Sequence, residues 1–102
     1  MHLLQLFLPL SDNEGAKLPN ALFGEVKGEL EKKFGGLTAY NRVPVEGLWK
    51  EDSSQSNKDE LVIYEVMVDH FDPGWWRQYR ESLDQRFRQK RVLVRVQEIE
   101  VI

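Results

Sequence analysis

Apolar and polar positions change period along the chain, and the changes divide it into strands and helices. Leu3 to Leu8 is nearly all apolar and stops at Pro9, which predicts a short first strand. A polar turn, Ser11 to Gly15, follows. From Pro19 the period becomes helical: Leu22, Phe23, Val26, Leu30 and Phe34 recur every three or four residues. Glu25, Lys27, Glu29, Glu31, Lys32 and Lys33 fill the other side. Proline suits the first helical turn because its missing N–H has no intrahelical partner there. Gly35 or Gly36 supplies the left-handed residue that ends the helix. Gly24 and Gly28 stand four apart, a spacing that lets another element pack close, at up to ~1 kcal/mol of helix propensity each.

A second strand is expected from Leu37 to Trp49, bent at Pro44. A proline cannot donate to a ladder, so this strand belongs at a sheet edge. Glu51 to Asp59 is polar and reads as a mobile, dispensable hairpin loop. Leu61 to Phe71 is the most apolar run and predicts a central strand. Asp72, Pro73 and Gly74 then open a second helix, with Asp72 as N-cap and Pro73 in the first helical position. Trp76, Tyr79, Leu83 and Phe87 form its buried stripe, with Trp75 beside it and more exposed. This helix is expected to run to about residue 89, with Lys90 and Arg91 near its end, where positive charge complements the dipole. Val92 to Ile99 alternates as a fourth strand. The order β-α-β-β-α-β is that of the ferredoxin-like split arrangement. It predicts one α+β domain over residues 1–102, with both helices on one face of an antiparallel sheet of strand order 4-1-3-2.

The stretch FGGLT followed by EGLW adds a resemblance. Gly35, Gly36 and Thr38, with Gly47 and Trp49 about ten residues later, resemble a group of small uncharacterised bacterial proteins that share Gly-Gly-x-Thr and Gly-x-Trp. These are of the ferredoxin-like, dimeric α+β-barrel type. The resemblance covers about one-sixth of the chain. It implies a fold and a homodimer and brings no activity with it. Proteins of that type include monooxygenases, ligand-binding regulators and proteins of no known activity.

Alternation assigns side chains to faces. Leu4, Leu6, Leu8, Leu37, Ala39, Val62, Tyr64, Val66, Val68, Val92, Val94 and Val96 are expected under the helices. The open face then carries Leu3, Gln5, Phe7, Thr38, Tyr40, Arg42, Ile63, Glu65, Met67, Leu93, Arg95, Gln97 and Ile99. Five large apolar groups on an uncovered face call for a cover, and a second copy of the chain is the expected one. Tyr40, Arg42, Glu65 and Arg95 are the candidate ligand-binding residues. Glu65 is expected between two guanidinium groups, either as a structural ion cluster or as the polar end of a pocket. The arginine donor fork suits a small anionic ligand. At one end of the sheet His2, Gly35, Gly36, Thr38, His70, Trp75 and Trp76 are expected together. Two histidines are too few for a metal site, and packing or capping is the preferred reading of this group.

Composition narrows the function without naming it. The chain of 102 residues has no cysteine, which removes disulfides and thiolate metal sites and fits a reducing compartment. No apolar run approaches the ~20 residues of a membrane span. MHLLQLFLPL lacks the basic start and small-residue cleavage site of a signal peptide. A cytoplasmic protein without a membrane or nucleic-acid partner is therefore expected. Net charge is −3, but Arg77 to Arg95 carries +5 and the remainder −8. A basic helix face is usually solvated, and an anionic partner is the alternative. VIYEVMV lacks the exposed aromatics of an RNA-recognition strand. No phosphate loop, catalytic triad or cofactor motif occurs. The expectation is a homodimeric interaction or small-ligand-binding module, with a small enzyme using a pocket on the open face as the alternative.

Overall fold

Among the described residues six elements follow one another in the expected order: β1 (His2–Pro9), α1 (Asn20–Phe34), β2 (Thr38–Glu46), β3 (Lys58–Val68), α2 (Pro73–Arg86) and β4 (Leu93–Glu98). The computed structural model describes residues 1–41 and 61–102 in full and the backbone of 42–46 and 58–60. Gly47 and Trp49 lie outside the described residues, as does the expected loop from 51 to 57.

The strands form one sheet in the order β2-β3-β1-β4, and every neighbouring pair is antiparallel. This is the ferredoxin-like α+β arrangement. The physical reasons are those visible in the chain. Pro44 sits in edge strand β2, opposite Glu60, where a missing N–H costs least. The most apolar strands, β1 and β3, lie in the middle.

Alternation sends Leu4, Leu6 and Leu8 of β1 and Val62, Tyr64, Val66 and Val68 of β3 into one buried cluster. Phe23, Val26 and Leu30 of α1, Trp76 and Leu83 of α2, and Phe87 just after α2 close it from the helix side. Tyr64 reaches across and donates to the Phe23 carbonyl at 3.1 Å. Burial, and then the Glu31 charge, push its hydroxyl above the ordinary tyrosine value. Gly35 ends α1 at φ 85°, its N–H on the Glu31 carbonyl. Asp72 caps α2, its carboxylate accepting the Trp75 N–H at 3.1 Å.

Several expectations are corrected. Nothing packs against Gly24 or Gly28: both are exposed, and a Cβ built on either meets no atom within 4 Å. Helix α2 stops at Arg86, three residues early. Arg88 takes φ 50°, its N–H donates to the Gln85 carbonyl and that of Gln89 to the Asp84 carbonyl. That is a Schellman closure built on an arginine instead of a glycine. Lys90 and Arg91 therefore lie beyond the helix. Strand β3 begins at Lys58, inside the expected loop, and ends at Val68. Val96, expected under the helices, is exposed on edge strand β4.

Candidate functional site

The face of the sheet away from the helices carries two cross-strand rows. Thr38, Glu65, Gln5 and Arg95 form one, and Tyr40, Ile63, Phe7 and Leu93 the next. Phe7 and Leu61 are buried on this side, outside the main cluster, while Tyr40 and Met67 are exposed. The face is thus mixed: an apolar floor with a polar row across it.

Within the polar row Gln5 Nε2 donates to Glu65 Oε2 at 2.7 Å. Arg95 turns away, its guanidinium carbon 4.5 Å from the centre of the Phe7 ring. A cation over an aromatic face is held by the ring quadrupole, and the ring is shielded in return. Glu65 and Arg95 stand two strands apart, about 10 Å. Among the described residues no guanidinium pairs with Glu65; the Arg42 side chain lies outside the described residues.

Arg42 falls inside a register shift between Tyr40 and Val43, where β2 has one residue more than β3. An extra residue interrupts the ladder locally. Its backbone is four residues from Thr38, the partner of Glu65, or about 13 Å along the strand.

At the α1 end of this face lies a cleft of about 360 Å³. Leu3, Thr38, Glu65 and Met67 line it from the sheet, and Phe34, Gly35, Gly36 and Leu37 from the turn after α1. The left-handed Gly35 reverses the chain there, which sets the turn beside the sheet as a wall. The cleft presents both polar and apolar surface, and among the described residues its ionisable group is Glu65, whose carboxylate is oriented by Gln5. Of the candidate residues whose side chains are described, Tyr40, Glu65 and Arg95, only Glu65 lines it. The pattern assigns Leu3 and Met67 to the open face and Phe34 and Leu37 to the helix side, but it marks none of the four as lining a pocket, because nothing in it says which turn folds back over which strand end.

The group expected around the histidines comes apart. His2 stacks on Phe71 with centroids 5.4 Å apart, its Nδ1 buried without a partner. His70 is exposed. Trp76 stacks on Phe34 at 5.2 Å, and Trp75 stacks on Tyr79 at 4.8 Å beneath the Lys33 ammonium. Gly35, Gly36 and Thr38 go to the cleft. Among the described residues no three His, Asp or Glu side chains gather as a metal site.

A second polar cluster, unforeseen, joins the two helices. Arg86 reaches Glu29 with two bonds of 3.0 Å and Glu25 at 3.3 Å, while the Tyr79 hydroxyl donates to Glu29 at 2.8 Å. Burial pushes the Glu29 carboxyl up, but the Arg86 and Tyr79 bonds outweigh it and leave it below its ordinary value. Burial, and then Glu29, push the Tyr79 hydroxyl well above the usual tyrosine range. The basic stretch is largely spoken for: Arg80 pairs with Asp84 and Arg88 with Asp12. Arg77 and Arg91 stand exposed.

No helix of the described residues is long and apolar enough to cross a membrane. No protein-family model matches the chain, and no curated protein matches it. Among solved structures the chain is similar to a phage SAM lyase in complex with S-methyl-5′-thioadenosine, at 16% identity and a TM-score of 0.58 over 95% of this chain and 80% of that one. At that identity the likeness is one of fold.

Proposed function

We propose that the protein is a small-ligand-binding module whose site is the cleft between the Gly35–Gly36 turn and the open sheet face. The observation that carries this reading is the half-buried Glu65 carboxylate, oriented by Gln5 in the lining of a cleft of mixed polar and apolar character and about 360 Å³. Ligand pockets are commonly of this size, with a few placed polar groups that fix the ligand's orientation. A carboxylate as the ionisable group among the described lining residues favours a ligand with N–H donors or positive charge over the small anion expected from paired arginines. The Gly-Gly-x-Thr half of the sequence resemblance falls on this same wall. A protein of similar fold that holds S-methyl-5′-thioadenosine lends support, since that ligand joins an amino-bearing ring to an apolar thioether.

Two further readings attach to the same face. The similar structure is a lyase, which favours a small enzyme as the alternative. Exposed Met67 and Tyr40 beside Ile63 and Leu93, with no helix of the described residues above them, favour a homodimer through this face.

Titration calorimetry with S-methyl-5′-thioadenosine and with SAM tests the site. Saturable binding is expected, weakened about tenfold or more in Glu65→Gln, since a hydrogen bond to a charged group contributes about 1.5–3 kcal/mol. Absence of binding by both ligands at millimolar concentration, or equal binding by the variant, rejects the ligand chemistry assigned to the cleft. Release of S-methyl-5′-thioadenosine from SAM, followed by chromatography, separates enzyme from binder.

A further inference from the structure

We infer that a second copy covers the open face about a twofold axis lying along β1, so that Glu65 pairs with the partner's Arg95. The inference rests on the homodimer reading above and adds its axis and its central contact. Glu65 and Arg95 lie in one cross-sheet row, on either side of Gln5. They carry opposite charge, they do not meet within one chain, and both stand on the face away from the helices. Two sheets pack about 10 Å apart, with strands within about 30° of one another.

Two in-plane twofold axes can pass through this row. An axis across the strands sets Glu65 against Glu65 and Arg95 against Arg95, which is repulsive. An axis along β1 exchanges the β3 and β4 columns. Each Glu65 then faces the partner's Arg95, and each Gln5 faces its own counterpart. The next row obeys the same operation: Ile63 meets the partner's Leu93, and Phe7 meets the partner's Phe7. Apolar falls on apolar and acid on base in a single register, and a twofold makes each contact twice. A carboxylate between two sheets is costly unless it is paired, and the second copy supplies the pair.

The axis also bears on the cleft. Strand β2 lies beyond β3, and among the described residues no strand lies beyond β4 to face it. The cleft beside Thr38 therefore stays open at the rim of the dimer, with Glu65 on its floor and the partner's Arg95 opposite. The site is then completed by the second copy.

Sedimentation of the full chain over a concentration series tests this. Wild type is expected at twice the 12.0 kDa chain mass. Glu65→Arg and Arg95→Glu should each raise the dissociation constant about tenfold or more, as breaking a close interfacial charge pair does. The double reversal should return it to near the wild-type value. Circular dichroism establishes that each variant is folded. If a reversal does not fold, the cycle of Glu65→Gln and Arg95→Gln replaces it, and the two losses should then be non-additive. A monomeric wild type overturns the homodimer reading and this inference together. A dimeric wild type whose single reversals dissociate no more readily, whose double reversal rescues nothing, or whose neutral pair is additive, overturns the axis alone.

Discussion

Trp76 and Trp75 are neighbours in sequence and differ sharply in place. Trp76 is 4% exposed and stacked on Phe34, while Trp75 is half-buried, with Tyr79 on one side and Lys33 over its ring. Truncating Trp76 or Leu83 to alanine should cost ~2–5 kcal/mol, through lost burial and the cavity left behind. Trp75→Ala should cost less, because part of its surface already meets water. Urea unfolding of the three variants measures this, and a larger loss at Trp75 than at Trp76 would refute the placement of the helix. This much was legible, since a helical stripe at Trp76, Leu83 and Phe87 fixes the phase. Contacts on the open face were not. Alternation says that Gln5, Glu65 and Arg95 share a face, but it does not say that Gln5 takes the carboxylate and Phe7 takes the guanidinium. That choice depends on side-chain reach and on the register between strands, which no single strand encodes.

Elements were read best where their signals are local. The Asp72 cap, Pro73 and the Gly35 terminator each act through their own backbone, and each lies at the boundary it predicts. The end of α2 is set differently. The Asn13 N–H donates to the Arg88 carbonyl at 3.1 Å, Gln89 donates to the Ser11 carbonyl, and Asp84 accepts the Val92 N–H at 2.6 Å. These partners come from the loop after β1 and the start of β4, so the helix ends where the tertiary structure holds Arg88 in a left-handed conformation. The register shift in β2 between Tyr40 and Val43 is equally silent in sequence. Helix α1 gives the clearest element-scale prediction. Gly24 and Gly28 face solvent with open space around them, and neither has a positive φ. Alanine restricts the unfolded chain and favours the helix, so Gly24→Ala and Gly28→Ala should each raise stability by up to ~1 kcal/mol. Thermal melts of the single and double variants check this. A loss of stability would mean that the glycine face is in contact with something in solution.

At the scale of the molecule the strand order followed from two independent signals, the proline in β2 and the apolar runs of β1 and β3, and both refer to position within the sheet. What ties the helices to each other over the sheet was not legible. Glu29 and Arg86 are 57 residues apart on surfaces that read as solvated. Their pairing makes one charge-dependent clamp across the outer layer, with Tyr79 bonded into it. Glu29 titrates below its ordinary value of 4.5 in the folded chain. A carboxyl with a depressed folded pKa contributes stability that is fully present above the unfolded value and is lost as pH falls through the folded one. Wild type should therefore lose this contribution on acidification below about pH 4.5. At neutral pH, Glu29→Gln should lower Tm by about 1–6 °C, the range of a partly exposed ion pair in a chain this size. The gap between wild type and variant should close as pH falls below 4.5, because both then carry a neutral side chain at that position. Melting curves from pH 7 down to pH 3 measure the gap. A difference that persists at low pH would mean that Glu29 acts through its neutral hydrogen bonds and packing, and that the clamp is not held by charge.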